Sequence, residues 1–474
     1  MKSLVLAACG LCAAVLCAAP FRDGDTVVFL GDSITHGGRY HQFVTDFYRT
    51  RFPDAKIRFV NSGIGGDSAS GAQRRLKEDV AEYDPTVVAI HFGMNDVDRE
   101  AYTAETSPGL LRRRADAQER YRQNLSDLVG KVKAAAPGAS LVYLTPTAYD
   151  DTAQPTNIPP GATGWATVNQ IGCNDGLAQM AGHVLAKAKA DGVFAVDWFS
   201  PLSNFLDRHR STDPHFMVTA WDRVHPNDVG HSVMAWKFLE AQGVSPIVSD
   251  VAVDARSGAV ARSENAAVSD VVAKDGSLSF AILEKSLPMP VASAALKFVA
   301  ECKVAERLNR EMLSVTGLSD GWHILLVDGK EIGVWTAEDF AAGINLAFND
   351  RTPQYAQAQA VMKRNSELWG RESAMRNHHS ARWHFGNKTD VDDLAALKAY
   401  VDALPDKGGY FGKFVPGYIE YWPTYRETRA KLLAAQNEVY ELAKPVAHRY
   451  EVRSVARVEI CPQMFDAGGW KLDV

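Results

Sequence analysis

Short apolar runs alternate with amphipathic segments over the first half of the chain. Five runs rich in β-branched and aromatic residues predict buried strands, which begin at Thr26, Lys56, Thr86, Ser140 and Val193. Segments of helical period separate them and predict helices over 40–51, 115–135, 174–190 and after Pro226. This alternation indicates βαβ units with right-handed crossovers. The predicted fold class is α/β, a three-layer sandwich around a flavodoxin-like parallel sheet.

The pattern changes beyond residue 244. Strands are predicted over 278–284 and 323–335, the latter a hairpin built on Asp328-Gly329. After Pro353 the pattern is helical, with later helices over 389–403, capped by Thr389, and over 424–442. The predicted organisation is therefore an α/β domain over 20–243, a β-rich accessory region over 244–350 and a helical C-terminal region over 351–474.

The N-terminus has its own pattern. A positive start followed by small apolar residues predicts a cleaved signal peptide over 1–19, and hence a secreted or periplasmic protein. A lipoprotein signal ending at Cys9 is the alternative. No later run is long enough to cross a bilayer. Three cysteines lie beyond the predicted signal peptide: Cys173, Cys302 and Cys461. They are widely spaced and odd in number, so one disulfide is possible but a disulfide framework is not. Three small buried side chains are favoured.

Composition narrows the function classes. The chain has 474 residues, 46% of them hydrophobic, and a net charge of −6. The acidic balance gives no electrostatic reason to expect a nucleic-acid partner. The oligomeric state is left open.

Four polar stretches fall at the same edge of the predicted sheet. Three of them follow strands one, two and three, and the fourth precedes the last helix: Gly31-Asp32-Ser33, Asn61 to Ser68, Gly93-Met94-Asn95-Asp96 and Asp222 to Asn227. Ligands of open α/β sheets bind outside the carboxyl ends of the strands. These stretches therefore predict one site.

The residue types in these stretches are those that ester hydrolysis requires. Ser33 supplies a nucleophile, His225 a base and Asp222 a group that orients the base. The oxyanion donors would be the backbone N–H groups of Ser33 and Gly66 and the side-chain amide of Asn95. Each residue also has a structural alternative: a helix-capping turn for Ser33, a satisfied turn histidine for His225 and an Asx turn for Asn95.

These motifs together resemble the SGNH or GDSL hydrolases. The resemblance covers roughly residues 24–243 and implies that Ser33, Asp222 and His225 are catalytic, with Gly66 and Asn95 in the oxyanion hole. It also implies that residues 20–243 are the catalytic domain. The second half is similar to C-terminal extensions of some secreted bacterial members.

Other side chains are weaker candidates. His36 and Trp221 are near the nucleophile and the base in sequence and are candidates to bind substrate, whereas His231 is expected to pack. For His378, His379 and His384 a solvated helix face is favoured over a metal site. For Arg376 and Arg382, beside Trp383, a charged helix face is favoured over a site for an acidic sugar. The long connections 96–114 and 150–172 are predicted to wall the cleft.

The predicted function is a serine esterase that needs neither metal nor cofactor. It removes O-acetyl groups from a carbohydrate or glycan through an acyl-enzyme. The alternatives are a lipase, lysophospholipase or thioesterase of the same fold, an acetyl transferase, and an inert glycan-binding protein.

Overall fold

The computed structural model describes residues 20–162, 164–274 and 277–455. The predicted signal peptide over 1–19, Cys461 and the end of the predicted helical region, 456–474, lie outside these residues.

The first half forms a parallel sheet with helices on both faces. Its strands are β1 Thr26–Gly31, β2 Arg58–Gly63, β3 Val87–His91, β4 Ser140–Leu144 and β5 Phe194–Val196. Its helices are α1 Ser33–Gly37, α2 Arg39–Arg51, α3 Leu76–Asp79, α4 Pro108–Ala135, α5 Cys173–Asp191, α6 Phe199–Arg210 and α7 Asp228–Ala241. The strand order β2-β1-β3-β4-β5 confirms the predicted fold class.

Helix α4 begins earlier than predicted. It starts at Pro108 rather than at Ala115, because Ser107 caps it by accepting the N–H of Leu110 and proline fits the first helical position. The predicted long loop 96–114 is therefore shorter.

Two further sheets follow the α/β domain. Their strands are β6 Ile247–Asp254, β7 Val260–Glu264, β8 Ala266–Lys274, β9 Ser277–Glu284, β10 Arg310–Thr316, β11 Trp322–Val327, β12 Lys330–Thr336, β13 Ile344–Asn345 and β14 His448–Val455. One sheet has the order β13-β10-β6-β7 and the other β12-β11-β14-β9-β8. Side chains of both sheets share one core, so the sheets form a sandwich. The short helices here are α8 Val304–Arg307 and α9 Ala337–Ala342.

Strand β14 corrects the prediction that the chain beyond 351 is helical. It pairs with β9 and β11 in the middle of its sheet, about a hundred residues after the rest of the sandwich. The helices between them are α10 Pro353–Phe385, α11 Leu394–Asp402, α12 Gly409–Gly412, α13 Val415–Tyr421 and α14 Tyr425–Leu442. Thr389 was the wrong cap for α11, because the Asp393 carboxylate accepts the N–H groups of Ala395 and Ala396.

Helix α10 joins the sandwich to the carboxyl edge of the parallel sheet. Its 33 residues span about 50 Å at 1.5 Å per residue. Near its start Gln354 donates to the Tyr450 hydroxyl of the sandwich, and near its end Trp383 lies against Gly71, beyond β2. Between these points the helix covers α2. Among the described residues no helix is long and apolar enough to span a membrane.

Candidate active site

Ser33 lies immediately beyond β1, at the first turn of α1. Asp32 caps this helix by accepting the N–H of Ile34 at 2.9 Å, so the turn both caps a helix and presents the serine. Gly31 has to be glycine, since a Cβ there would come within 2.1 Å of Thr35 Oγ1 and 2.9 Å of the His91 carbonyl oxygen. Ser33 Oγ lies 2.8 Å from His225 Nε2.

His225 and Asp222 share a tight turn before α7. Thr219 and Pro226 form a β-bridge across this turn, and the N–H of Ala220 donates to the His225 carbonyl at 2.6 Å. His225 Nδ1 is 2.6 Å from Asp222 Oδ2. Because a carboxylate only accepts, Nδ1 is the donor, which leaves Nε2 as the acceptor for the Ser33 hydroxyl.

The charge of Asp222 is stabilised at this position. Partial burial raises the pKa of its carboxyl, but the hydrogen bond and charge of His225 outweigh burial and hold the pKa below its usual range. The carboxyl also accepts the N–H groups of Val224 and His225, each at 3.0 Å. The His225 side chain is 34% exposed, so the base is accessible from solvent.

Two of the three predicted oxyanion donors, Gly66 and Asn95, lie beyond the strands that neighbour β1. Gly66 is exposed and has a φ of +80°, a left-handed conformation that glycine adopts without strain. The Asn95 amide donates one hydrogen to the Asp67 carbonyl at 2.8 Å, and its oxygen accepts from Arg99 Nη1 at 3.2 Å. These bonds fix the amide plane and leave its second N–H for a ligand.

His36 is held by the protein at both ring nitrogens. Nδ1 accepts the N–H of Gly65 at 3.3 Å, and Nε2 donates to the Ser373 carbonyl at 3.2 Å. Burial lowers the pKa of the ring to about 4, so it is neutral near pH 7. His36 thus bridges α10 and the loop that carries Gly66. Trp221 is half-buried beside Asp222.

A buried ion cluster lies behind this loop and was not foreseen. Arg376 of α10 makes a bidentate pair with Asp79, with both N–O distances at 2.7 Å, and donates to the Gly63 carbonyl at 3.1 Å. Arg75 binds Asp79 Oδ2, which Arg376 also contacts, and it binds Asp67 as well, each at 2.7 Å. The cluster therefore braces the turn between β2 and Gly66.

The exposed helix face predicted for Arg376 and His379 was wrong, whereas His378, Arg382 and His384 are partly exposed. Arg376 is only 2% exposed, and His379 is buried against Asp79, with Nδ1 at 3.1 Å from Oδ1. Arg382 pairs with Asp392 at 2.7 Å and with Glu78 at 3.1 Å. His378 packs on Tyr421 and His384 on Phe411. Helical patterns treat charged residues as exposed, whereas paired charges are tolerated inside.

A helical stripe could have revealed the buried face. Residues at steps of three and four along α10 all face the α/β domain: Asn365, Trp369, Glu372, Arg376, His379 and Trp383. Glu372, for example, accepts the N–H of Asn61 at 2.9 Å. A stripe of this mixed polar and aromatic composition indicates contact with protein rather than with water.

The remaining candidates are placed as follows. His231 is buried on α7 beside Tyr40, which confirms its packing role. Cys173 and Cys302 are free thiols.

Loop 150–172 contacts the turn that carries His225, because the Asp150 N–H donates to the Arg223 carbonyl at 3.0 Å. Within the residues that the structure describes, no group of three or more His, Cys, Asp or Glu side chains is placed to hold a metal ion.

Comparison with known proteins agrees with this geometry. Residues 29–233 match the GDSL-like Lipase/Acylhydrolase family. This part of the chain is a GDSL-like acylhydrolase domain, which confirms the resemblance, and the chain is a carboxylic ester hydrolase.

Individual relatives cover different shares of the chain. An acetylxylan esterase from Geobacillus stearothermophilus is 27% identical over 235 residues, 46% of this chain and 94% of that protein. A crystal structure of an acetylxylan esterase from that organism has 25% identity and a TM-score of 0.36, covering 47% and 96% of the two chains. The structure of a gut microbial diltiazem-metabolizing enzyme has 29% identity and a TM-score of 0.81, covering 92% and 99%. The sandwich and the C-terminal helices therefore recur with the α/β domain in that enzyme.

Proposed function

We propose that this protein is a secreted or periplasmic serine esterase that removes O-acetyl or other short acyl groups from a carbohydrate. The observation that carries the proposal is the line of hydrogen bonds from Ser33 through His225 to Asp222, at 2.8 and 2.6 Å. The carbohydrate and acetyl parts are supported by the likeness to an acetylxylan esterase. Secretion is supported by the apolar sequence of residues 1–19.

The reaction proceeds through an acyl-enzyme. Ser33 Oγ attacks the ester carbonyl while His225 Nε2 accepts its proton, and the N–H groups at Ser33, Gly66 and Asn95 stabilise the oxyanion. The ester C–O bond then breaks, and His225 returns the proton to the leaving alcohol. Water attacks the acyl-enzyme in the same manner, with His225 again as base. Asp222 keeps the imidazole in the required tautomer throughout.

The main test is Ser33→Ala, assayed on acetyl, butyryl and octanoyl nitrophenyl esters and on acetylated xylan. We expect kcat to fall by about 10⁴–10⁶, because Ser33 is the nucleophile that would carry the acyl group. Ser70→Ala, in the exposed loop beyond Gly66, is the matched control. A Ser33→Ala variant with a tenth of the wild-type rate contradicts the assignment.

The ester panel also separates the alternatives. An octanoyl preference favours a lipase or thioesterase, transfer to an added sugar favours a transferase, and glycan binding without turnover favours an inert protein. We expect acetyl esters to be preferred and activity to survive EDTA, because the residues named above supply nucleophile, base and oxyanion donors.

The oxyanion role of Asn95 has its own test. Asn95→Ala should lower kcat by about 10²–10³ with a smaller change in KM, because the amide acts on charge that develops in the transition state. A rise in KM alone would make Asn95 a substrate-binding residue.

Export is tested on the expressed chain. N-terminal sequencing of the fractionated protein should find it outside the cytoplasm and beginning near Ala18 or Ala19. An intact Met1 on active protein, or a lipid on Cys9, would contradict this part of the proposal.

The whole-chain likeness to a diltiazem-metabolizing enzyme favours a second candidate, turnover of a small drug-like molecule. Incubation with diltiazem tests it, with Ser33→Ala as the control. A product that forms faster than from any acetylated carbohydrate would make this candidate the better one.

A further inference from the structure

The surface beside Gly66 belongs to the C-terminal helices. A Cβ on Gly66 would lie 3.7 Å from Phe411 Cζ, which is van der Waals contact. Gly66 itself is exposed. The ring of Phe411 therefore lies directly beside a proposed oxyanion donor.

Phe411 is one of four neighbouring rings, here called the aromatic rim: Trp383, His384, Tyr410 and Phe411. His384 stacks on Phe411 with centroids 4.2 Å apart and planes at 15°. The Phe411 centroid is 5.8 Å from that of Trp383 and 5.2 Å from that of Tyr410. Tyr410 is 61% exposed, so at least one ring face is available to a ligand.

Three cations surround the aromatic rim. Arg74 lies 5.7 Å from the centroid of Trp383, and Lys413 Nζ lies 4.0 Å from that of Tyr410. Lys388 donates to His384 Nε2 at 2.8 Å. All three cations are exposed.

These cations differ from the arginines nearby. Arg382, for example, is paired with Asp392 and Glu78. In the part of the chain that the structure describes, by contrast, Arg74, Lys388 and Lys413 form no ion pair with a carboxylate. The three cations therefore form a positively charged patch on a chain whose net charge is −6. Burial, and then the charges of Lys388 and Arg74, lower the pKa of His384, so the ring adds no charge near pH 7.

We propose that the aromatic rim and these three cations form a subsite for a sugar that carries a carboxylate, such as a uronic acid, in the alcohol part of the ester. This inference rests on the proposed function and names its substrate class. Flat ring faces stack on the apolar faces of sugars, and unpaired cations beside them attract the carboxylate. Four neighbouring rings, of which Tyr410 is 61% exposed, exceed what a short acyl group needs, so the subsite takes the alcohol part.

The experiment compares two acetylated xylo-oligosaccharides of equal length and acetyl content, one with a uronic acid side group and one without. We expect the wild type to show a KM about fivefold lower for the acidic substrate. This preference should disappear in 0.5 M NaCl and in the variant with Arg74→Gln, Lys388→Gln and Lys413→Gln. Lys330→Gln, an exposed lysine of the sandwich, is the control and should keep the preference.

A second variant tests the rings. Tyr410→Ala, at an exposed position, should raise KM for both oligosaccharides several-fold while the ratio between them stays the same. Equal KM values for the acidic and neutral substrates in the wild type, or the same loss of preference in Lys330→Gln, would overturn the subsite. These results would overturn the subsite but not the proposed function. The proposed function fails if the wild type releases acetate from neither oligosaccharide.

Discussion

The two regions that follow the α/β domain differ in what they contribute to the site. The helical region, represented by α10 and α12, reaches the loop of Gly66 through Arg376, Ser373 and Phe411, with Ser373 bound to His36 of α1. The sandwich meets the domain elsewhere. Arg51, the last residue of α2, donates to the carbonyls of Ser245 and Leu308 at 2.6 and 2.9 Å.

Direction along the parallel sheet explains the difference. A crossover helix runs back from the carboxyl edge of the sheet, so the last turn of α2 lies at the amino edge, away from Ser33. The sandwich docks there and has a core of its own. Helix α10 runs the opposite way along α2 and so ends at the carboxyl edge. Two regions of similar size thus have different expected effects on catalysis.

Within this comparison of the two regions, the largest expected effect comes from Arg376→Met. Loss of this buried cation leaves part of the Asp79 charge uncompensated and frees the Gly63 carbonyl, so we expect a loss of about 3 kcal/mol in the free energy of unfolding. We also expect a lower kcat. Arg262→Met in the sandwich removes an ion pair with Asp250 in which the arginine is half-exposed, and should cost about 1 kcal/mol or less with kcat unchanged.

Urea titration and steady-state kinetics measure both variants. If Arg262→Met lowers kcat as much as Arg376→Met does, the inferred difference between the two regions in their effect on catalysis is wrong.

The next effect depends on pH. Burial raises the pKa of Glu372 to about 7, although Arg376 and Arg49 oppose the shift. A carboxyl with a raised folded-state pKa contributes stability below its unfolded pKa and loses it as pH rises through the folded value. Between pH 4.5 and 7 we therefore expect this group to remove up to about 3 kcal/mol of stability, and Glu372→Gln to flatten that dependence.

In the sandwich, Glu311 is the buried carboxyl that corresponds to Glu372 of α10. Burial, and then the neighbouring charge of Glu284, raise the pKa of Glu311 well above its usual range, so Glu311→Gln should also flatten the pH dependence of stability. Only Glu372→Leu, which removes the acceptor for the Asn61 N–H, should lower kcat as well. Equal kcat values for Glu372→Leu and Glu311→Leu would show that α10 acts on stability alone.

The smallest effect is expected at His36. His36→Leu removes both bonds of the bridge from α10 to Gly65, and we expect kcat to fall about tenfold with little change in KM, because the loop of Gly66 loses its position. His36→Gln can restore the two bonds and should recover part of the rate.

The control is His448→Leu, which breaks a 2.6 Å contact with Asp328 inside the sandwich. It should lower the melting temperature and leave kcat unchanged. A KM effect at His36 with kcat intact would return this residue to the substrate-binding role that the sequence suggested.

The sequence by itself determined the parallel sheet and the position of the polar stretches along it. Apolar runs separated by helical segments specify βαβ units, and parallel strands bring their carboxyl ends to one edge. That is why Ser33, Gly66 and Asn95 could be assigned to one edge from local patterns. Asp222 and His225 could be paired because they lie three positions apart in one turn.

Only the tertiary structure decided what α10 does. His36 and Ser373, which meet beside Gly65, are 337 residues apart, and Arg376 and Asp79 are 297 apart. Strand β14 likewise enters its sheet far from its neighbours in sequence. The local pattern of a polar helix is the same whether water or a distant carboxylate satisfies its charges. Whether these charges are exposed or buried depends on tertiary packing, because a charged side chain is buried at low cost only where the fold supplies an oppositely charged partner.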